Sequence, residues 1–209
     1  MSAVQKKGFH AVALRGGVYL DKFSGRDARA VADWCRSHGA RVIGVDAPCR
    51  WSLTGRARPA ERELMAAGIW CFSTPTMQTA AAHPKNHFGW MLAGAELFHQ
   101  LAATHALFTG TSPRQADRVC FETFPQAIAC ALSGGIVSAK AKRTVRRDLL
   151  HRAGIETLAL TNIDMLDAAL CALNAHYLAN GDFRSYGEAE SGFIVAPRMA
   201  LPATASRCA

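Results

Sequence analysis

The sequence predicts an α/β protein in which short strands alternate with helices. Two strand-like runs near the start are joined by Gly16-Gly17, and two further runs, at residues 42–45 and 118–124, have the apolar composition of buried strands. Helical patterns of apolar residues separate these runs and follow the last of them. This alternation is typical of a sheet flanked by helices.

Size and composition are those of a globular protein. The 209 residues suffice for one sizeable domain, which we place at residues 1–197, followed by a disordered tail at 198–209. No apolar run approaches the ~20 residues of a membrane helix, and the N-terminus lacks the apolar core of a signal peptide. Most of the seven cysteines lie in apolar runs, with no C-x-x-C pair, as free thiols do in a reducing compartment. We therefore expect a soluble, cytoplasmic protein.

The chain is strongly basic, with a net charge of +8. Such an excess favours polyanionic partners, of which nucleic acid is the simplest. The charge alone does not establish this partner, because many basic proteins are only solvated.

The first quarter of the chain predicts a hairpin, a helix and a buried strand. Residues 9–15 and 18–23 are strand-like, and a two-residue Gly-Gly link between such runs indicates a tight turn. A helix follows from the Ser24 to Asp27 region and ends at Gly39. The run V-I-G-V at 42–45 then has the composition of a strand buried on both faces.

Asp46 follows this strand directly, and Pro48 prevents the strand from continuing. In open α/β sheets, ligands bind beyond the strand ends, so Asp46 is well placed for chemistry. The alternative is that Asp46 only caps the next turn.

Helical and irregular segments follow the Asp46 strand. Pro59 and Gly68 mark the start and end of a helix, and residues 69–84 look irregular with one short strand. A longer helical pattern covers 85–106.

Four arginines come close together soon after Asp46, and they are either a solvated surface or a rim that contacts phosphate. They are Arg50, Arg56, Arg58 and Arg62.

The second buried-strand pattern, at 118–124, contains Glu122 and is ended by Pro125. An unpaired glutamate there would cost several kcal/mol, so Glu122 should face water, a cation or a basic partner. A short helix from Pro125 ends at Gly134-Gly135.

A basic helix is predicted at 138–152. Arg143, Arg146 and Arg147 share one side by their spacing. A solvated outer face is one interpretation, and contact with a polyanion is the other.

The last long helix begins near Thr161-Asn162 and ends at Gly181, and a short strand follows at 192–197. Asp164 and Asp167 are three residues apart on this helix and therefore neighbours. Asp164 could complete a capping arrangement. Asp167 lies deeper in the helix, where a cap cannot explain it.

These acids predict a metal site. Asp46, Glu122 and Asp167, with Asp164 as a further ligand, would repel one another unless a divalent cation held them together. Mg²⁺ or Mn²⁺ suits such a site, and two such ions can promote phosphodiester cleavage. Basic side chains at the rim would hold the polyanion.

Several ordered motifs also resemble a known family. The chain is similar to the proteins grouped as domain of unknown function DUF429, which are described as predicted nucleases with a ribonuclease H-like fold. The motifs are V-I-G-V-D-A-P at 42–48, R-P-A-E-R-E-L at 58–64, G-I at 68–69, F-E-T-F-P-Q-A at 121–127, D-A-A-L-C-A-L at 167–173 and E-S-G-F-I-V-A-P at 190–197. The resemblance implies a mixed five-stranded sheet flanked by helices, with metal-binding acids on two strands and the C-terminal helix.

The chain departs from this family pattern at its start. The resemblance implies a first strand that carries a catalytic Asp, precedes the hairpin in the sequence and lies between the hairpin and the Asp46 strand in the sheet. In this chain only M-S-A-V-Q-K-K precedes the hairpin. Either the reading frame begins late, so that this strand is missing or truncated, or the sheet closes in another way.

Three functions remain open at this stage. The first is a metal-dependent nuclease that uses Asp46, Glu122 and Asp167. The second is a non-catalytic nucleic-acid-binding protein with a degenerate metal site. The third is an enzyme that acts on a small phosphorylated metabolite.

Overall fold

The computed structural model describes residues 8–110, 117–198 and 200. The helices and strands follow the predicted alternation. In chain order they are β1 Phe9–Arg15, β2 Val18–Gly25, α1 Ala28–Ser37, β3 Val42–Val45, α2 Pro59–Ala66, α3 Met77–Ala81, α4 Gly89–Leu101, β4 Ala106–Leu107, β5 Val119–Thr123, α5 Pro125–Ser133, α6 Lys142–Arg152, α7 Ile163–Asn180, β6 Phe183–Glu188 and β7 Gly192–Pro197. A 3₁₀ turn at Ala139–Ala141 leads into α6.

The main sheet is mixed and has five strands, with β5 at its centre. β3 runs parallel to β5 on one side, with Val45 opposite Glu122. β4 and β7 both run parallel to β5 on the other side, and β6 pairs antiparallel with β7. All five residues of β5 are buried, as a central strand requires. This confirms the predicted mixed sheet flanked by helices, an arrangement compatible with a ribonuclease H-like fold.

The hairpin β1–β2 forms a separate two-stranded sheet. Its turn depends on Gly16 and Gly17, whose φ angles of +58° and +83° are those of a two-residue turn that only glycine adopts at little cost. The hairpin therefore has the predicted position and turn.

Helix α7 joins the hairpin to the main sheet. Its residues Leu166, Ala169 and Leu170 are fully buried in the largest core cluster, which Val12 of β1 also enters. Asn174, near the middle of α7, donates hydrogen bonds of 2.8 Å to the Thr123 hydroxyl and the Val195 carbonyl. One helix thus anchors both sheets.

β1 and β3 each have one strand edge without a partner strand among the described residues. A Cβ at Gly17 would lie 3.4 Å from His176, so β1 points toward the end of α7. Val42 packs with the cluster that contains Leu178, whereas a Cβ at Gly44 would lie 2.8 Å from the Cys171 carbonyl, so β3 points toward the start of α7. The two strands therefore run in opposite directions along one helix.

A cavity of about 800 Å³ lies between these two strands, with α7 as its floor. Every residue of β1 and every residue of β3 lines it. The gap is where the family resemblance implies a first strand.

Some elements differ from the sequence expectations. Residues 69–84 contain the short helix α3 in place of the expected short strand. The sequence interpretation also missed β4 and β6. β3 was expected to be buried on both faces, but only Val45 is fully buried, because β3 is the edge strand that borders the cavity.

Two expectations fall largely outside the described residues. The seven residues that precede the hairpin lie outside them, and so does the predicted tail except for Arg198 and Ala200. Within the described part of the chain, no helix combines the length and the apolar character that a bilayer crossing requires.

Candidate functional site

The cavity between β1 and β3 ends at the carboxyl end of β3. Asp46 is the first residue beyond that strand, and its side chain lines the cavity. α4 approaches the same place, because Gly94 leaves room for direct contact with Ala47. The end of the strand, one end of α7 and one face of α4 thus enclose a single space.

Three of the predicted acidic residues line this cavity together: Asp46, Asp164 and Asp167. Asp46 is exposed, whereas Asp164 and Asp167 are half-buried on α7. The three-residue spacing on α7 places both aspartates on the cavity side. Asn162 caps this helix by accepting a hydrogen bond from the Met165 amide, so Asp164 is not needed as the cap.

These acids shift the pKa of neighbouring groups. Burial raises the pKa of the Cys171 thiol, and the Asp46 and Asp167 carboxylates raise it further. Burial also raises the pKa of Asp167, an effect that Arg146 opposes and Asp164 strengthens. One negative cluster therefore surrounds the start of α7.

Arg146 neutralises part of this cluster. Its side chain is 7% exposed and forms an ion pair with the Asp167 carboxylate. Its Nε atom is buried and has no hydrogen-bond partner among the described residues. Asp167 therefore has a cation of the protein itself as its partner.

Glu122 lies elsewhere, inside the protein. Arg58 donates hydrogen bonds to both of its carboxylate oxygens, at 2.9 and 2.5 Å, and the Cys49 amide donates a third at 2.8 Å. Arg58 also donates to Glu61, at 2.8 Å from Nε and 2.9 Å from the backbone. Burial alone would lower the pKa of Arg58, but the two carboxylates raise it.

This network changes the interpretation of two predicted site residues. Glu122 does face a cation, as its position required, but it does not line the cavity that holds the three aspartates. Arg58 is 2% exposed, so a phosphate cannot reach it in this fold. At the start of α2, Glu61 accepts a hydrogen bond from the Arg58 amide, which is the glutamate half of a capping box.

The remaining predicted cations divide into two groups. Arg143 and Arg147 donate to the carbonyls of Thr161 and Leu160, at 3.0 and 3.1 Å, and so connect α6 to the start of α7. Arg147 is half-buried, whereas Arg143 remains exposed. Arg50, Arg56 and Arg62 are also exposed.

Two of the predicted metal ligands have arginine partners in this arrangement. Glu122 and Asp167 are each paired with an arginine. Among the residues that the structure describes, no group of three or more His, Cys, Asp or Glu side chains is arranged to hold a metal ion.

Sequence reasoning missed two aromatic residues of the cavity. Phe72 and Trp90 line it together with Asp46, and so does Lys142, the first residue of α6. Phe72 comes from a segment without regular structure, and Trp90 begins α4. For Phe72 the available signal was a large apolar residue in a stretch expected to be mostly irregular, whereas Trp90 lies within the predicted helical pattern and gave no such signal.

The comparisons with known proteins identify a family and leave the activity open. No curated protein and no solved structure matches this chain significantly. The family model described as "Protein of unknown function (DUF429)" matches residues 4–191, which include the whole cavity and both ion-paired networks. The chain therefore belongs to the DUF429 family.

Proposed function

We propose that this protein binds nucleic acid through the end of the cavity where α6 and α7 begin. The observation that carries the proposal is the position of Lys142 and Arg143. Lys142 is exposed and lines the cavity, and Arg143 is exposed beside Thr161, just before α7. Cations placed in this way can contact phosphates of a polyanion at the mouth of the cavity.

The charge balance supports the same function. Arg58 and Arg146 are neutralised by buried carboxylates, whereas several cations are left facing solvent in a chain of net charge +8. The exposed cations near the cavity or in the loop and helix that follow β3 include Arg15, Arg41, Arg50, Arg56, Arg62, Lys142 and Arg143. Exposed cations of this kind attract nucleic acid through counterion release.

Oligonucleotide binding measured over a range of salt concentrations tests this proposal. We expect affinity to fall steeply with salt, and Lys142→Gln and Arg143→Gln to reduce the slope by about 0.7 for each lost contact with a single strand. Arg29→Gln is the control, because Arg29 is 77% exposed on α1 and does not line the cavity. Binding without salt dependence, or equal loss in the control, would contradict the proposal.

A second candidate function is metal-dependent phosphodiester hydrolysis. The observation that favours it is the shared cavity of Asp46, Asp164 and Asp167. Because no group of three or more metal-ligating side chains is found among the described residues, we derive no catalytic step from it. Cleavage of an oligonucleotide with Mg²⁺ or Mn²⁺ that is abolished by Asp46→Asn, and retained in Asp33→Asn on α1, would establish this activity.

We also propose a cytoplasmic location. All the described cysteines, namely Cys35, Cys49, Cys71, Cys120, Cys130 and Cys171, are free thiols. Free thiols persist in a reducing compartment. Localisation of the tagged protein by cell fractionation would test this.

A further inference from the structure

An aromatic surface borders the cavity on the side of α4. We define it as Phe72, His83, His87, Phe88 and Trp90, whose rings form a continuous series of contacts. Phe72 is central, because its ring centre lies 6.3 Å from that of Trp90 and 6.5 Å from that of His87. The series continues through Phe88 to His83, with ring centres 4.8 and 5.3 Å apart.

The aromatic surface is open to solvent. Phe72 is 67% exposed and Trp90 is 39% exposed, and His87 is exposed as well. The Phe72–Trp90 and Phe72–His87 pairs are edge-to-face, so the rings are not closed against one another as a parallel stack. Large rings left exposed in a connected group indicate a binding surface.

Positive charge adjoins these rings. Lys85 lies between His83 and His87 in the chain and is exposed. Phe72 and Trp90 line the same cavity as the exposed Lys142. Aromatic faces beside cations match a ligand that carries both flat rings and negative charges.

Single-stranded nucleic acid has this chemistry. Its unpaired bases offer free π-faces that stack on aromatic side chains, while its phosphates contact lysine and arginine. A duplex keeps its bases stacked on one another and presents only edges and phosphates to a protein. The aromatic surface would therefore distinguish single strands from duplexes.

We infer that this protein prefers single-stranded nucleic acid, whose bases stack on Phe72 and Trp90 at the mouth of the cavity. The inference rests on the proposed function, since Lys142 and Arg143 would supply the phosphate contacts. It adds the class of nucleic acid that is bound, and it assigns base binding to Phe72 and Trp90, which act by stacking and not by charge.

The experiment compares a labelled oligothymidylate with an abasic oligonucleotide of equal length and charge, and with a duplex, by fluorescence anisotropy. We expect Phe72→Leu and Trp90→Leu each to weaken oligothymidylate binding by about tenfold and to leave abasic binding unchanged. Trp70→Leu is the matched control, because Trp70 is 83% exposed but does not line the cavity. Circular dichroism melting confirms that each variant is folded.

The outcomes separate this inference from the proposed function. Equal affinity for oligothymidylate and abasic strand, with no effect of the two substitutions, would overturn base stacking while leaving salt-dependent binding intact. Preference for the duplex would also overturn it. Absence of binding to any of the three probes would overturn both the inference and the proposed function.

Discussion

Arg58 and Arg146 neutralise carboxylates inside the protein, although both come from cation-rich stretches of the sequence. Arg58 connects Glu122 of β5 to Glu61 of α2, and all three side chains are at most 5% exposed. Carboxylates buried to this degree need a partner, because an unpaired buried charge is strongly destabilising. The network therefore holds the loop after β3 and the start of α2 against the central strand.

Replacement of Arg58 tests this role. We expect Arg58→Met to lower the free energy of unfolding by about 3–5 kcal/mol, because Glu122 and Glu61 would lose their shared cation. Chemical denaturation measures the change. Arg62→Met, at an exposed arginine on the same helix, should remain within about 0.5 kcal/mol of the unchanged protein. Equal stability of the two variants would contradict the structural role.

His105 predicts a pH dependence of stability. It is 1% exposed, its Nε2 atom donates to the Ala40 carbonyl at 3.0 Å, and its Nδ1 atom lies 2.9 Å from the Thr104 hydroxyl. Burial lowers the pKa of His105, so the unfolded chain binds a proton more readily than the folded protein. The resulting stability is complete above the unfolded pKa of about 6.5 and is lost as pH falls through the lowered folded value.

Denaturation at several pH values measures this effect. We expect His105→Gln to flatten the decline of unfolding free energy below about pH 6.5, since Gln does not titrate. His99→Gln, at an exposed histidine of α4, should leave the decline as it is. An unchanged slope in His105→Gln would show that other groups cause the dependence.

At the scale of elements, the separation of β3 and α7 decides the shape of the candidate site. Gly44 lies in β3 directly against the backbone of α7, with the Cys171 carbonyl 2.8 Å from where a Cβ would be. This close approach places Asp46 beside the first turns of α7. The site geometry thus depends on a position that carries no functional group.

Gly44→Ala tests that dependence. A methyl group at this position must displace the helix or the strand, so we expect a loss of roughly 1–3 kcal/mol in the free energy of unfolding. Gly135→Ala is the control, because its Cβ would meet nothing within 4 Å. A thermal or denaturant titration that finds the two variants alike would exclude the close contact.

At the scale of the whole molecule, the hairpin and the main sheet are two sheets held together by one helix. The cavity between them is bordered by two strand edges that run in opposite directions. An inserted strand would run antiparallel to one edge and parallel to the other, and it would join the two sheets into one. Open strand edges of this kind readily accept an added strand.

A fused strand tests whether the cavity is a strand-shaped gap. We expect replacement of residues 1–7 by a strand of alternating Val and Thr, followed by Asn-Gly, to raise the melting temperature. A gain of about 2 kcal/mol corresponds to roughly 4–8 °C in a chain of this size. The same fusion with Pro at alternate strand positions should give no gain, since Pro cannot donate ladder hydrogen bonds. Equal melting temperatures of the two fusions would contradict the prediction.

The sequence by itself determined the features that depend on neighbouring residues. The Gly16-Gly17 turn, the limits of β3 and β5, the proline-started helices α2 and α5, and the glycine after α7 all follow from local conformational preference. The placement of Asp164 and Asp167 on one face of α7 also follows, because their three-residue spacing can be read from helical periodicity.

Only the tertiary structure decided which charges are available and which strand edges are open. Glu122 and Arg58 are 64 positions apart, and Arg146 and Asp167 are 21 apart, so no local pattern pairs them. The same holds for Phe72 and Trp90, which come from separate segments and line one cavity. Long-range pairing depends on how elements pack, and packing removed Glu122 and Arg58 from the surface while it brought two aromatic rings to the site.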